Sequence, residues 1–245
     1  MPFDMPLAEE IWGAKYRFRS ADAEDADLSA TLDRVAEAVA RAEKPSVRKQ
    51  WRTRFREALS NFRFIPAGRI LAGAGTGRNV TLFNCFVMGT IPDNLPGIFE
   101  HLREAAVTLQ QGGGVGMDFS TIRPAGAAVR GVGAEASGPL SFMDTWDAMC
   151  RTIMSAGQRR GAMMGCLRID HPDIEAFIDA KRDGVRLRNF NLSVRVTDAF
   201  MEALERDGEW TLQHGGKAYR TLPAADLWNR LMRATYDAAE PGVIF

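Results

Sequence analysis

Apolar residues recur every three to four positions in the first quarter of the chain, which is the spacing of one face of a helix. Two segments show this pattern: residues 21–42, with Leu28, Leu32, Val35 and Val39, and residues 47–62, with Trp51, Phe55, Leu59 and Phe62. Neither segment contains a group of residues arranged for chemistry. The pattern therefore predicts a helical N-terminal lobe over residues 1–62.

From residue 63 onward, short apolar runs are separated by amphipathic segments and glycine-rich loops. The apolar runs predict strands at residues 81–91, 115–120, 190–196 and 240–245, and helical periodicity predicts helices over residues 92–111, 137–155, 197–207 and 223–239. Residues 166–183 run from a strand into a helix that begins at Asp170 or Pro172. Strand–helix alternation with crossovers of this length predicts an α/β domain with parallel strands over residues 63–245.

Polar residues lie near the start of several predicted helices. Ser137 and Thr197 precede helical segments and are candidates for capping the free backbone N–H groups. Asp93 lies near the start of the helix over residues 92–111, where a carboxylate also suits a cap.

Three consecutive glycines, residues 112–114, follow that helix, and Arg123 and Arg130 lie seven residues apart in the next segment, which is poor in acidic residues. Glycine loses more backbone entropy on folding than other residues, so the chain needs either a positive φ or the close approach of another group here. The pattern favours a nucleotide lying against bare backbone. A helix C-cap is the alternative role for Gly114.

The 245 residues are 46% hydrophobic and 25% charged, with a formal net charge of +0. This is an ordinary globular composition with enough chain for a sizeable core. The charge balance argues against general binding of nucleic acid or membrane surfaces. No apolar run approaches the roughly 18 residues of a spanning helix, and the acidic N-terminus lacks the features of a signal peptide. We therefore expect a cytoplasmic protein.

Cysteine and histidine residues give no metal site. Cys85, Cys150 and Cys166 are odd in number and lack CxxC spacing, so each is predicted to be a buried, reduced thiol by default. The three histidines, His101, His171 and His214, are scattered along the chain, and none is assigned as a ligand.

Several long motifs resemble the large subunit of ribonucleotide reductase, and in particular its class II, adenosylcobalamin-dependent branch. They are FNCFV, QGGGVGMDFSTIRPAGAAVRGVGAEASGPLSFMDTWDAMC and SAGQRRGAMMG. The likeness runs from residue 63 to residue 245, and WGAKYRF near the N-terminus fits the same branch. It implies a thiyl-radical enzyme that reduces the 2′-hydroxyl of ribonucleotides. It also implies a barrel of two parallel half-sheets, of which this chain holds about the first half.

The resemblance assigns four residues to the substrate side. Cys85 matches the first cysteine of a redox pair that becomes a disulfide as it reduces the substrate. Asn84 and Gly114 match substrate-contacting positions. Gly68 stands where related enzymes often carry a hydroxyl residue, so any contact there is through the backbone. The alternative for Cys85 is a buried strand cysteine, and the alternative for Asn84 is an amide that satisfies local backbone at the end of a strand.

The resemblance assigns Asp93, Arg123 and Arg130 to a site for the specificity effector, a deoxynucleoside triphosphate or ATP. Guanidinium groups suit phosphate oxygens because both are planar forks of hydrogen-bonding atoms. The alternatives are solvated surface arginines and a carboxylate that merely caps its helix.

The loop of residues 155–164 corresponds to the segment of the family that connects the effector and substrate bases. Gln158, Arg159 and Arg160 have the donors needed to read base edges, and Gly157 and Gly161 allow the loop to rearrange. Coupling of this kind requires two loop states with different affinities for the two ligands.

The family's radical cysteine motif is absent, since no cysteine follows Cys166. We therefore expect the 245-residue chain to be inactive alone and to be an N-terminal portion of a longer reductase, completed by the rest of the barrel. The alternatives are a stand-alone nucleotide-binding module and a portion of a class I large subunit. A homodimer is expected from the family, whose effector site lies between helices of two subunits.

Overall fold

A computed structural model describes residue 3 and residues 5–129, 131, 133–153 and 162–245. These divide into two compact units. The first contains the chain up to Cys85 together with residues 111–113, and the second contains the described residues of 86–110, 114–153 and 162–245.

The first unit is helical, as its periodicity predicted. Its elements are α1 (Pro6–Lys15), α2 (Leu28–Ala40), α3 (Arg48–Leu59), a 3-10 turn (Ser60–Phe62) and α4 (Gly68–Gly73). Asp27 caps α2 by accepting a hydrogen bond of 2.8 Å from the Ala30 amide. The core contains Trp12, Leu28, Leu32, Val35, Ala36, Leu59 and Ala74. Val39 and Phe62 of the predicted stripes are exposed.

The predicted lobe of residues 1–62 is shorter than this unit, which also contains residues 63–85. Arg34 of α2 donates hydrogen bonds to the carbonyls of Leu71 and Ala74, and Ala74 is part of the helical core. These bonds attach α4 and the residues around it to the helices before them.

The second unit is built on a sheet. Its elements are β1 (Cys85–Val87, at the boundary), α5 (Leu95–Gln110), β2 (Gly114–Asp118), β3 (Ala128–Val129), β4 (Ala134–Glu135), α6 (Gly138–Thr152), β5 (Met163–Arg168), α7 (Ile174–Asp179), β6 (Phe190–Arg195), α8 (Asp198–Glu205), β7 (Glu209–His214), β8 (Lys217–Pro223), α9 (Ala224–Ala238) and β9 (Gly242–Ile244).

In the described part of the chain, five strands form the main sheet in the order β1-β2-β5-β6-β9. Strands β2, β5, β6 and β9 pair in parallel, which confirms the predicted α/β class. In the core, the Phe119 ring meets the Trp146 ring edge to face at a centroid distance of 5.5 Å and the Phe190 ring at 6.0 Å. A Cβ at Gly165 would lie 2.7 Å from Met143 Cε and 3.2 Å from the Phe190 ring, so a larger residue there would require these side chains to shift.

The prediction of a buried strand over residues 81–91 is wrong. The strand has only three residues, and both Cys85 and Val87 are exposed. β1 lies at one end of the strand order, and an apolar run alone does not tell an edge strand from a central one.

Helix starts were predicted with mixed success. Thr197 does cap α8, accepting a hydrogen bond from the Phe200 amide. Ser137 stands at the N-cap position of α6, but its side chain makes no capping bond. The predicted starts at Asp170 and Pro172 are too early, since α7 begins at Ile174.

The pattern did not predict the antiparallel hairpin of β7 and β8. Its turn is Gly215–Gly216, and both glycines have positive φ values, of 56° and 77°. Two glycines between short strands are a hairpin-forming sequence, because a two-residue turn of this type needs positive φ at both positions. Among the described residues, no helix combines the length and apolarity that crossing a membrane requires.

Candidate functional site

The best-defined polar site of the second unit begins where β2 ends. The Asp118 carboxylate accepts hydrogen bonds from the amide and the hydroxyl of Ser120, and the Ser120 hydroxyl accepts one of 2.8 Å from the Arg168 amide at the end of β5. These bonds fix the start of the loop that follows β2. Ligands of open α/β sheets bind outside such carboxyl ends of parallel strands.

The loop after β2 brings together two of the residues predicted to bind the effector, which are 30 positions apart. The Nε atom of Arg123 lies 2.8 Å from Asp93 Oδ2, and the Arg123 amide donates to Asp93 Oδ1 at 3.2 Å. Arg123 Nη2 also donates to the Asp93 carbonyl, and the Thr121 hydroxyl donates to that of Ile91 at 2.7 Å. The two segments are therefore joined by both side chains and backbone.

Asp93 does not cap its helix. Asn94 makes the capping bond, since its Oδ1 accepts a hydrogen bond of 2.9 Å from the Gly97 amide. The Asp93 carboxylate instead accepts from Arg123, so the alternative of a merely capping carboxylate is wrong.

Arg123 is not a solvated surface arginine either. Its side chain is 30% exposed, and it donates to Asp93 and, at 3.4 Å, to the Ala128 carbonyl. A guanidinium group has five N–H donors. Three are used by described residues, which leaves two with no partner in the described part of the chain.

A second set of contacts reaches the same loop from the turn between β5 and α7. His171 Nε2 lies 2.9 Å from the Ile122 carbonyl, and His171 Nδ1 accepts from the Asp173 amide at 3.0 Å. Asp173 Oδ2 accepts a hydrogen bond of 2.9 Å from the Ala125 amide. The ring of His214, at the end of β7, lies 5.4 Å from that of His171.

The sequence pattern did not identify these residues. A lone histidine is most often a surface or core residue, and His171 and His214 are 43 positions apart. The signals that point to this cluster are the His-Pro-Asp turn and the Gly-Gly hairpin, and neither specifies its partner. Burial lowers the pKa of both His171 and His214, which favours their neutral forms.

Charged pairs surround the carboxyl ends of the neighbouring strands. Arg168 pairs with Asp170, which also accepts a hydrogen bond from Gln213, and Arg195 of β6 pairs with Asp118 of β2. Paired cations and carboxylates therefore line this edge of the sheet.

The residues predicted for the substrate side are divided between the two units. Gly68, Asn84 and Cys85 lie in the first unit, and Gly114, the first residue of β2, lies in the second. Gly68 begins α4, and a Cβ there would lie 3.3 Å from the Tyr16 ring. Asn84 and Cys85 are exposed.

The three thiols differ in environment. The default of a buried thiol holds for Cys150 and is wrong for Cys85, while Cys166 is half-buried. Burial raises the pKa of the Cys150 and Cys166 thiols. Because the thiolate is the reactive form, this disfavours redox chemistry at both.

The glycine triplet has a geometric reason at its first residue. Gly112 has a φ of 89°, and a Cβ there would lie 2.3 Å from Arg69 Nη1 of the same unit. The group that approaches bare backbone here is therefore a guanidinium. The C-cap alternative applies to Gly112 rather than Gly114, since α5 ends at Gln110. Contact of a nucleotide with Gly114 stays a prediction.

Four predicted site residues lie outside the described residues. They are Arg130, of the effector loop, and Gln158, Arg159 and Arg160, of the loop expected to connect the effector and substrate.

Two family models match the chain in succession. The model of the ribonucleotide reductase all-alpha domain matches residues 4–79, and that of the ribonucleotide reductase barrel domain matches residues 83–245. The chain belongs to the ribonucleotide reductase large-subunit family. Its helical unit and parallel sheet agree with the two matched domains in their order along the chain.

Individual relatives support this assignment. The chain is 40% identical over 220 residues to the vitamin B12-dependent ribonucleoside-diphosphate reductase of Mycobacterium tuberculosis, covering 87% of this chain and 31% of that protein. It is 38% identical over 195 residues to the protein of the same name from Thermoplasma acidophilum, covering 78% and 25%. The alpha subunit of the ribonucleoside-diphosphate reductase of Chlamydia muridarum is 25% identical over 228 residues, covering 80% and 22%. The chain thus spans about a fifth to a third of the curated relatives it matches.

The described residues do not form a cobalamin site. Two surface hollows among the described residues, of about 400 and 530 Å³, are each confined to one unit, and no histidine lines either of them. Both ring nitrogens of His171 are used within the protein. We therefore assign no described residue of this chain to cobalamin and no step to the cofactor.

Proposed function

We propose that this chain is the N-terminal portion of a ribonucleoside-diphosphate reductase, an oxidoreductase that supplies deoxyribonucleotides for DNA synthesis. The observation that carries the proposal is the match of two reductase domain models, in order, over residues 4–79 and 83–245. The names of the relatives at 38% and 40% identity support the diphosphate substrate and the adenosylcobalamin dependence. A class I parent is the alternative, and the weaker likeness to an alpha subunit supports it less.

On the substrate side, we assign Cys85 as one thiol of the pair that reduces the ribonucleotide. Formation of one disulfide releases two electrons and two protons, which is the requirement for replacing the 2′-hydroxyl by hydrogen with release of water. The exposure of Cys85 at a sheet edge supports the role, because an exchanging thiol must be accessible. Asn84, Gly68 and Gly114 are assigned to substrate contact.

On the effector side, we assign Asp93, Arg123 and Arg130 to binding of a deoxynucleoside triphosphate or ATP, and Gln158, Arg159 and Arg160 to coupling with the substrate base. The proposal is supported by the ion pair of Asp93 and Arg123 and by the two guanidinium donors of Arg123 that have no described partner. A phosphate group can accept both.

We expect the reductase to act as a homodimer completed by the remainder of the barrel. The observation that favours a helix-mediated interface is a row of exposed apolar residues on α5, spaced by multiples of four: Leu95, Phe99 and Val107. Such a row lies along one side of a helix and suits packing against another helix.

Calorimetric titration of the chain with dATP and dTTP tests the effector assignment. Arg123→Ala is expected to weaken binding by about tenfold to a hundredfold, because a charge-assisted hydrogen bond contributes about 1.5–3 kcal/mol. Arg206→Ala is the matched control, since Arg206 is an exposed arginine paired with Glu202 of α8. Equal affinities of the wild-type chain and Arg123→Ala would remove the assignment.

An activity assay tests the missing-thiol argument, and the gene sequence after residue 245 separates this proposal from a stand-alone nucleotide-binding module. We expect no deoxyribonucleotide from the 245-residue chain with adenosylcobalamin and a dithiol, because no cysteine follows Cys166 to carry the radical. Turnover by this chain would contradict the missing-thiol argument. A stop codon directly after residue 245 in the gene would favour the module over a longer reductase.

A further inference from the structure

The segment Ile122–Ala125 is held by two bonds from the turn that follows β5. His171 donates through Nε2 to the Ile122 carbonyl at 2.9 Å, and Asp173 accepts from the Ala125 amide at 2.9 Å. The two bonded backbone groups lie on either side of Arg123 and Pro124. The turn therefore fixes the backbone that carries the Arg123 side chain.

The missing side chain of Gly138 leaves space for the hydrogen bond between the Asp173 carboxylate and the Ala125 amide. Gly138, the first residue of α6, has a φ of 79°, and a Cβ there would lie 2.7 Å from Asp173 Oδ2 and 2.9 Å from the Ala125 nitrogen. Any side chain at position 138 would displace this hydrogen bond. Three segments distant in sequence thus meet at the Asp173–Ala125 contact.

His171 can make its two bonds only as a neutral ring. It is 2% exposed, its Nε2 donates to a carbonyl, and its Nδ1 accepts from the Asp173 amide. A second proton on Nδ1 would face that amide N–H, so two donors would oppose each other. The titratable groups around the ring are His214 of β7, together with Asp170 and Asp173 of its own segment.

We infer that His171 and Asp173 are positioning residues that hold Arg123 in place to bind an anionic ligand, and that protonation of His171 releases this hold. The identity of the ligand as a nucleoside triphosphate rests on the proposed function. The hold, by which we mean the fixing of the Ile122–Ala125 backbone by His171 and Asp173, does not depend on it. Neither residue needs to touch the ligand.

Burial lowers the pKa of His171 below its ordinary value of 6.5. The stabilisation from the neutral ring is therefore complete above pH 6.5 and is lost as the pH falls from there through the lower folded value. Binding of an anion to the folded protein should weaken only at the acid end of this range, as the pH falls through the lowered pKa of His171.

Hydrogen exchange of the Ala125 amide tests the hold directly. Asp173→Ala removes the acceptor and is expected to speed exchange at Ala125 at least about tenfold, the factor that corresponds to loss of about 1.4 kcal/mol. Asp173→Asn keeps an acceptor oxygen and should restore most of the protection. Asp183→Ala is the matched control, because Asp183 accepts from the backbone amides of Val185 and Arg186 in another loop. Unchanged exchange across the β5–β6 ladder verifies the fold of each variant.

Calorimetry with dATP on the same proteins measures the consequence for binding. Asp173→Ala is expected to weaken dATP binding about tenfold, and Asp173→Asn much less. His171→Gln keeps an N–H donor for Ile122 but does not titrate, so it should lose the fall in affinity that the wild type shows as the pH drops through the lowered pKa of His171. Protonation of the dATP phosphates affects the wild type and His171→Gln equally, so it cancels when the pH dependences of the two proteins are compared.

The outcomes separate the two claims. Unchanged exchange at Ala125 in Asp173→Ala would overturn the hold, and equal pH dependence of dATP affinity in the wild type and His171→Gln would overturn the role of protonation. Faster exchange at Ala125 with unchanged dATP affinity, in a protein whose affinity is lowered by Arg123→Ala, would keep the effector assignment and overturn the positioning role of Asp173.

Discussion

Each unit of the chain contains a buried polar residue that collects hydrogen bonds from several segments, and the two residues differ in charge. In the helical unit, Asp25 and its donors Phe18, Thr31 and Arg34 form what we call the Asp25 hub. In the sheet unit, His171 and its partners Ile122 and Asp173 form the His171 hub. Asp25 is 5% and His171 2% exposed. The first is ionised in the fold, whereas the second must stay neutral.

The Asp25 hub is organised around an ion pair. Asp25 accepts from the Phe18 amide at 3.1 Å, the Thr31 hydroxyl at 2.7 Å and Arg34 at 2.8 Å. Burial alone would raise the pKa of Asp25, but the hydrogen bonds from Arg34, Thr31 and Phe18 together outweigh it and hold the pKa below its ordinary value. The charge is therefore compensated within the hub.

The His171 hub has no compensating charge bonded to the ring, since its partners are a carbonyl and an amide. Desolvation then dominates, and the neutral form is favoured. The comparison shows that equal burial does not fix the charge state of a polar group. The bonded partners decide it, and they determine whether acid strengthens or weakens the surrounding structure.

The largest effect is expected from Asp25→Ala. It leaves the Arg34 guanidinium, which is 10% exposed, without its carboxylate. Loss of one partner of a buried pair destabilises a protein by about 3–5 kcal/mol. Urea denaturation followed by circular dichroism measures the change.

The double variant Asp25→Ala/Arg34→Ala supplies the control for that prediction. If the ion pair organises the hub, the double variant should be destabilised by clearly less than the sum of the two single variants. Strict additivity would show that the two side chains act independently.

A smaller effect is expected from Thr31→Val, which tests the uncharged part of the Asp25 hub. Thr31 is fully buried, donates to Asp25, and accepts from Trp12 Nε1 at 3.0 Å. The substitution leaves the indole N–H without its acceptor, so we expect a loss of about 1–3 kcal/mol in unfolding free energy. Thr31→Ser retains the hydroxyl and should lose less. Equal losses for Val and Ser would assign the effect to packing instead.

The smallest effect is expected from pH, which separates the two hubs without mutation. The contribution of His171 should be lost as the pH falls below 6.5, and that of Asp25 only as it falls below 3.8 and through its lower folded pKa. In amide NMR spectra recorded from about pH 7.5 to about pH 3, Ala125 should therefore shift before Phe18. A change at Phe18 that precedes the one at Ala125 would contradict the assigned charge states.

Local patterns predicted the elements of both units well. The periodicity of residues 21–42 and 47–62 gave α2 and α3, and strand–helix alternation gave the parallel sheet of β2, β5, β6 and β9. The motif resemblance selected Asp93 and Arg123 as members of one site, and the structure brings them into contact. The pattern failed for residues 81–91, because the apolar character of a run does not reveal that it lies at a sheet edge.

The sequence by itself determined the helical lobe, the parallel α/β unit and the reductase family, since periodicity and motif order are properties of neighbouring residues. Only the tertiary structure decided which polar groups are paired. Asp93 and Arg123 are 30 residues apart, Ala125 and Asp173 are 48 apart, and His171 meets a ring 43 residues away. Burial and hydrogen-bond partners of this kind exist only after distant segments pack together, and they set the charge that each group carries.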